Sequence, residues 1–256
     1  MTSIPSDFVA EAERAAAVND LAHLKLQSLE VEGLAWEFAG KAFIEKIYPR
    51  NSVDLHIDRA VLFSGHFIDA PARESPRFPP AAEPIARHAI QDFLMHEQEQ
   101  GEVTGISGGA NGGDILFLET CRALNIPFKM LLVVPELLFV EESVAPANSD
   151  WVKRFEELTR EVHPSVLADS LELPAWLHTK NNYSIWERNN LWMVSAAIAL
   201  SPARFTVAAL WDGKKGDGPG GTENMVRTAQ RHGAKFTHLD TQRLFFGDPA
   251  IHTARP

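Results

Sequence analysis

Cysteine is nearly absent from this chain of 256 residues. The single example, Cys121, excludes an intramolecular disulfide and a multi-cysteine metal site, and it fits a reducing compartment. No stretch approaches the roughly 18 uninterrupted apolar residues of a membrane span. The N-terminus, MTSIPSDFVAEAERAAAVND, lacks the basic start and apolar core of a signal peptide, so a cytoplasmic protein with no membrane association is expected. Positive charge is scarce as well. The 24 Lys and Arg against 34 Asp and Glu give a net charge of -10, which excludes a broad nucleic-acid surface, because binding by counterion release needs clustered cations. A local basic pocket is still allowed. Two glycine signatures are missing from the SGGANGGD cluster at 107–114: its spacing is neither GxGxxG nor GxxxxGK followed by Ser or Thr, so neither the dinucleotide fingerprint nor the Walker lysine is present there.

What is present is a chain 45% hydrophobic, long enough for one sizeable α/β domain with an appendage. Its organising stretch is VTGISGGANGGDILFLE, residues 103–119. A β-prone run enters a cluster of Gly108, Gly109, Gly112 and Gly113, and an apolar helical pattern leaves it. Glycines let a ligand approach the backbone, and the free N–H groups that open a helix attract anions, so phosphate is the natural guest. The bland alternative is a plain strand-to-helix turn. Asp114 at the helix start either serves the site or complements the positive helix end. Cys121, on the apolar helix that follows, reads as a buried small hydrophobe.

Residues 1–58 predict an N-terminal helical extension, with Trp36 and Phe43 in packing roles. These helices pack on the main domain or on a second copy, which would make a homo-oligomer. Residues 59–256 predict a Rossmann-like parallel sheet between helices. AVLFS, at 60–64, is its first strand. The loop after it, GHFIDAPARESPRFPP, brings Gly65, His66, Asp69, Arg73 and Arg77 to the carboxyl edge of the sheet, where ligands of open parallel sheets collect. Prolines stiffen it, so Arg73 or Arg77, inseparable from sequence, would serve as an anion fork, or both are solvated. His66 reads more as a hydrogen-bonding residue than as a catalyst.

A helix is expected over 81–100, a strand over 128–134, a loop-like segment over 136–150, a helix over 151–162 and an irregular excursion over 170–180. The run NNYSIWERNNLWMVSAAIAL, 181–200, predicts a helix whose start, with Tyr183, Trp186, Arg188, Asn189 and Asn190, lies near the pocket. Two amides in a helix interior weaken it and need another reason, which makes Asn189 a ligand candidate. A strand over 205–211 exits through a second glycine cluster, DGKKGDGPGGTENMV, into a helix to about 232, followed by a strand over 235–240. Thr222 either caps that helix or gives its hydroxyl to a phosphate.

Residues 60–240 together resemble the SLOG superfamily, the Rossmann-like group that includes DNA-processing protein A and the Lonely Guy phosphoribohydrolases. ISGGANGGD resembles its SGGAxGxD motif, GPGGTENM its second, GGT-type loop, SGHFIDAPAR with RFPP its sensor-like branch, and ERNNLWMV the RN-containing helix of the DNA-processing members. The resemblance implies a nucleotide or nucleotide-derived ligand held by both loops, with no required cofactor and no metal. Gly108, Gly109, Ala110 and Gly112 would offer amides, faced by Gly220, Gly221 and Thr222. In the phosphoribohydrolases a glutamate three residues after the threonine helps to cleave an N-glycosidic bond; here that position is Met225, which cannot exchange a proton. Glu223 is the weak substitute, turned about 200° away around the helix. A ligand sensor is therefore the leading expectation, an N-glycosidic hydrolase the alternative, and a scaffold with a vestigial pocket the third reading.

Overall fold

A computed structural model describes residues 59–247, apart from residues 72, 148, 175–176, 179–180, 182, 202–204 and 217–218. The expected helical extension over 1–58 lies outside the described residues. Six strands, β1 (Arg59–Gly65), β2 (Val103–Ser107), β3 (Phe128–Leu132), β4 (Ser165–Val166), β5 (Phe205–Trp211) and β6 (Lys235–Asp240), form one sheet in the order β4-β3-β2-β1-β5-β6. Every pairing is parallel. Parallel sheets are covered on both faces, and β1, β2 and β5 accordingly read as near-continuous apolar runs. Lys235, Thr237 and His238 break that pattern at the β6 edge, and a two-residue strand closes the other.

The helices are α1 (Glu83–Gln98), α2 (Gly113–Ala123), α3 (Glu136–Phe139), α4 (Ser149–Val162), α5 (Ile185–Leu200), α6 (Thr222–Arg231) and α7 (Thr241–Phe246). Of these, α1, α2, α4 and α7 touch one another in series, while α5 and α6 form a second pair against the sheet. None of the described helices is long and apolar enough to cross a membrane. The core is aromatic near its centre, where Phe63 of β1 stacks on Phe117 of α2 at 4.5 Å between ring centroids. Among the described residues, the buried carboxylate outside the site region, Glu97, is bridged by Arg59 at 2.7 Å.

Four segments differ from the sequence-based expectation. The 136–150 segment, read as loop-like, forms α3 and continues as a π-helical turn, Val140–Val144. Phe139 packs on Phe155 of α4 at 5.7 Å, an anchor distant in sequence that local periodicity does not reveal. The tail from 241, which carries no clear pattern, forms α7: Asp240 caps it by accepting from the Gln242 and Arg243 amides, and Phe245 stacks on Phe78 at 5.2 Å. The short β4 has no sequence signature at all. Helix α5 begins at Ile185, four residues later than the pattern suggests, because Ser184 and Glu187 form a reciprocal capping box.

Candidate functional site

The strand order reverses at β1. Chain progression runs outward from β1 through β2, β3 and β4, then returns to place β5 on the other side. Loops leaving β1 and β5 therefore diverge, and a crevice opens at the carboxyl ends of the strands, where open α/β sheets bind ligands. A cavity of about 370 Å³ occupies that crevice. Its floor is Phe63, Ser64 and Gly65 at the end of β1; Gly108, Ala110 and Asp114 border it from the first glycine loop; Gly220, Gly221 and Thr222 border it from the second. The two glycine clusters, more than a hundred residues apart in sequence, thus share one space.

Asp114 organises the first loop. Its Oδ1 accepts the Gly65 amide at 2.8 Å, the Ala110 and Gly109 amides also point to its carboxyl, and Ser107, whose hydroxyl donates to Phe63 O at 3.2 Å, lies beside it. Burial is the dominant influence and pushes that carboxyl up to about 7, against the amides and Ser107, which pull it down. The amides that the sequence assigns to a phosphate are thus turned to a carboxylate supplied by the chain itself. Below about pH 7 the folded protein holds a proton on Asp114 that the unfolded chain releases above about pH 4. The Asp114 contribution to stability is therefore fully present below about pH 4 and declines through about pH 7. Urea unfolding of the wild type and Asp114→Asn should give a stability difference that falls by a few kcal/mol, on the order of 1.4 per pKa unit, across that window. A flat difference would contradict the assignment.

The second loop is held differently. Gly221 is the N-cap of α6 and no side chain caps the helix, so Thr222 lies inside the first turn instead of capping it. The Ser64 hydroxyl donates to Thr222 Oγ1 at 3.2 Å, joining the end of β1 to the start of α6 across the crevice. Gly220 has φ 73°, and a Cβ added there would fall on the Trp186 side chain and the Glu187 backbone, so the loop fits against α5 only with glycine. Asn190 clips it in place, donating to Gly220 O at 2.8 Å and to Asn224 Oδ1 at 2.9 Å. That is the structural reason for one of the two helix amides.

The other amide belongs to a residue that borders the cavity. Asn189 is 6% exposed, its Nδ2 meets only the Met193 sulfur at 3.3 Å, and its Oδ1 has no hydrogen-bond partner in the structure. Trp186, Met193 and Met225 add apolar wall from α5 and α6. Glu223, by contrast, lies outside the lining and pairs with Arg227 at 2.9 Å on the outer side of α6, as a two-residue offset on a helix requires.

The loop after β1 brings fewer of its candidates to the cavity. Gly65 borders it, whereas His66, Arg73 and Arg77 do not. Asp69 gathers the loop, accepting the Arg77 and Phe78 amides at 2.8 Å and pairing with Arg73 at 3.4 Å. Arg77 reaches Asp212 at 3.4 Å. His66 Nε2 accepts the Asp212 amide at 3.1 Å, and burial lowers its pKa despite the Asp212 carboxylate. Arg77 and His66 thus tie the exits of β1 and β5 together beside the cavity. Gly109 and Gly112 also stay outside the lining. Glu119, another carboxylate on α2, is committed to Arg154 at 2.7 Å and Arg87 at 2.7 Å, which bring its pKa below the ordinary value although burial alone would raise it. Cys121 is buried and its thiol is pushed up by burial.

Sequence reasoning missed the far wall. Phe67, half exposed at 46%, stands at the border, and Phe139, Glu142 and Ser143 enter from α3 and the π-helical turn. Asn111 fastens that turn to the glycine loop: its N and Nδ2 both donate to Ser143 O, at 2.9 and 2.8 Å, while its Oδ1 accepts the Ile68 amide at 3.0 Å. The asparagine in GGANGG was the available signal. Among the described residues no Lys, Arg or His lines the cavity, and no cluster of three or more His, Cys, Asp and Glu could hold a metal ion.

No family model matches the chain, and no curated protein matches it. Among solved structures it is similar to the X-ray structure of DNA processing protein A from Streptococcus pneumoniae, at 9% identity and a TM-score of 0.36, covering 94% of this chain and 97% of that one. A likeness of that degree carries no functional argument. The α/β architecture rests instead on the chain's own six parallel strands and the reversal of their order at β1.

Proposed function

We propose that this chain binds a nucleotide-derived small molecule in the cavity between its two glycine loops, and that it acts as a sensor or regulatory domain. The observation that supports the reading is the shared cavity at the reversal of strand order, bordered by Gly108 and Ala110 on one side and Gly220, Gly221 and Thr222 on the other. Its volume, about 370 Å³, lies in the lower part of the range of small-molecule sites, roughly 300–1,000 Å³. The resemblance of ISGGANGGD and GPGGTENM to SLOG motifs, and to the sensor-like branch, belongs to the same proposal. Binding needs no cofactor in this reading.

Thermal shift and calorimetry with nucleosides, mononucleotides, cyclic nucleotides, NAD and ADP-ribose test it. At about 100 times its Kd a true ligand stabilises by ~2.7 kcal/mol, which is about 5 °C or more in Tm for a domain of this size. Silence from every compound would contradict the proposal.

One observation favours hydrolysis of an N-glycosidic bond as a second reading. Asp114 borders the cavity with its carboxyl pushed up to about 7, a value suited to a general acid near neutrality. The role would fall to Asp114 and not to Glu223, because Met225 is the α6 residue at the cavity. Chromatography for free base after incubation with nucleoside monophosphates or NAD separates the readings: base released by the wild type and absent with Asp114→Asn would favour the hydrolase.

A further inference from the structure

The polar atoms around the cavity fall into an unequal set. Its two charged side chains among the described residues are carboxylates, Asp114 within and Glu142 on the π-helical turn. Cations that could neutralise a phosphate are spent elsewhere: Arg77 faces Asp212 and Arg73 faces Asp69. On the first-loop side the amides that would cradle an anion are spent as well, since those of Gly65, Gly109 and Ala110 turn to Asp114. A second anion brought to the same loop would meet a carboxylate already seated there, in surroundings where like charges repel strongly.

The apolar part of the lining has a different character. Phe67, Phe139 and Trp186 bring aromatic surface, and Met193 and Met225 bring polarizable thioethers, which favour contact with rings. Between them stands the Asn189 amide, more than nine-tenths buried, with its Oδ1 unpartnered and its Nδ2 facing a weak sulfur acceptor. Buried polar atoms are nearly always satisfied, so an amide left in this state at a cavity wall asks for a partner from outside the chain. A side-chain amide pairs in two places with adenine, accepting from the exocyclic N6–H and donating to N7.

Building on the proposed function, we infer that the cavity takes its ligand as an uncharged adenine nucleoside or the free base, read by Asn189, and discriminates against the 5′-phosphate. The ring lies against the aromatic and thioether wall, the exocyclic amine meets Asn189 Oδ1, and the sugar extends toward Thr222 and the second glycine loop. Refusal of phosphate follows from Asp114 and Glu142, not from lack of room.

Calorimetry of the full-length wild type at pH 8, where Asp114 is ionised, tests the inference with adenosine, AMP and inosine. Adenosine is expected to bind at least about 10-fold tighter than AMP, and at least about 10-fold tighter than inosine, whose 6-oxo group places an acceptor against Asn189 Oδ1. Asn189→Leu is expected to weaken adenosine by about 10-fold or more and to leave Tm close to that of the wild type. AMP binding as tightly as adenosine would overturn this inference while leaving the proposed function intact. Inosine equal to adenosine would overturn the role of Asn189. Failure of all three together with every other compound in the wider panel would overturn the proposed function and this inference with it. The three wild-type titrations decide the matter even if Asn189→Leu does not fold.

Discussion

Gly112→Ala is expected to lose about 4 kcal/mol of stability and roughly 10 °C in Tm. Gly112 is the N-cap of α2, with φ 84° and ψ -124°, a conformation that L side chains rarely adopt. An added Cβ would sit 2.5 Å from His66 O, 2.7 Å from Ile68 N and 3.0 Å from Phe67 C. All three are backbone atoms of the loop after β1, so no side-chain rotation relieves the contact. Two costs add: backbone strain of about 1–3 kcal/mol and overpacking of about 1–3 kcal/mol. Gly213→Ala separates them, because Gly213 also has positive φ, 75°, yet its added Cβ would meet only His238 Cε1 at 3.8 Å. Urea unfolding should therefore show a loss of about 1 kcal/mol for Gly213→Ala and about 4 for Gly112→Ala. Equal losses would show that the close approach of α2 to the loop is not what Gly112 provides.

Ala110→Phe is expected to abolish ligand binding, lowering affinity at least about 100-fold, or ~2.7 kcal/mol. Ala110 is buried, borders the cavity and gives only its backbone amide to Asp114, so its side chain can change without removing that bond. A phenyl group at this position occupies space that the ligand requires. Filling a void costs a fold much less than overpacking a solid core, and Tm should move by a few degrees at most. Calorimetry with the strongest compound from the panel makes the comparison. Affinity within about 3-fold of the wild type would place the ligand somewhere other than this cavity.

The parts of the site readable in sequence are those where one residue type has a local reason to be there. Glycines at two strand exits announce close backbone approach, and they border one cavity because the strand order puts β1, β2 and β5 side by side. Asn189 and Asn190 are poor helix residues; Asn190 holds the second glycine loop, and Asn189 borders the cavity. What sequence could not disclose was how charges would pair. Arg77 and His66 look available until Asp212, more than 130 residues on, is folded beside them. Asp114 looks like a helix-end charge until the amides of Gly65, Gly109 and Ala110 are folded around it. The π-helical turn with Glu142 and Ser143 was hidden because its anchors, Asn111 and Phe155, are distant in the chain. Fold type was the more legible level, since apolar runs and glycine exits repeat along the domain; edges such as β4 and α7 were not, being short and held by tertiary contacts alone.

The most direct measurement of the account's central claim is a crystal structure of the protein grown with saturating adenosine. Density for the nucleoside between residues 108–110 and 220–222, with the base edge within hydrogen-bond distance of Asn189, is the predicted result. A cavity filled by its own side chains, or a nucleoside bound away from both glycine loops, would contradict the account.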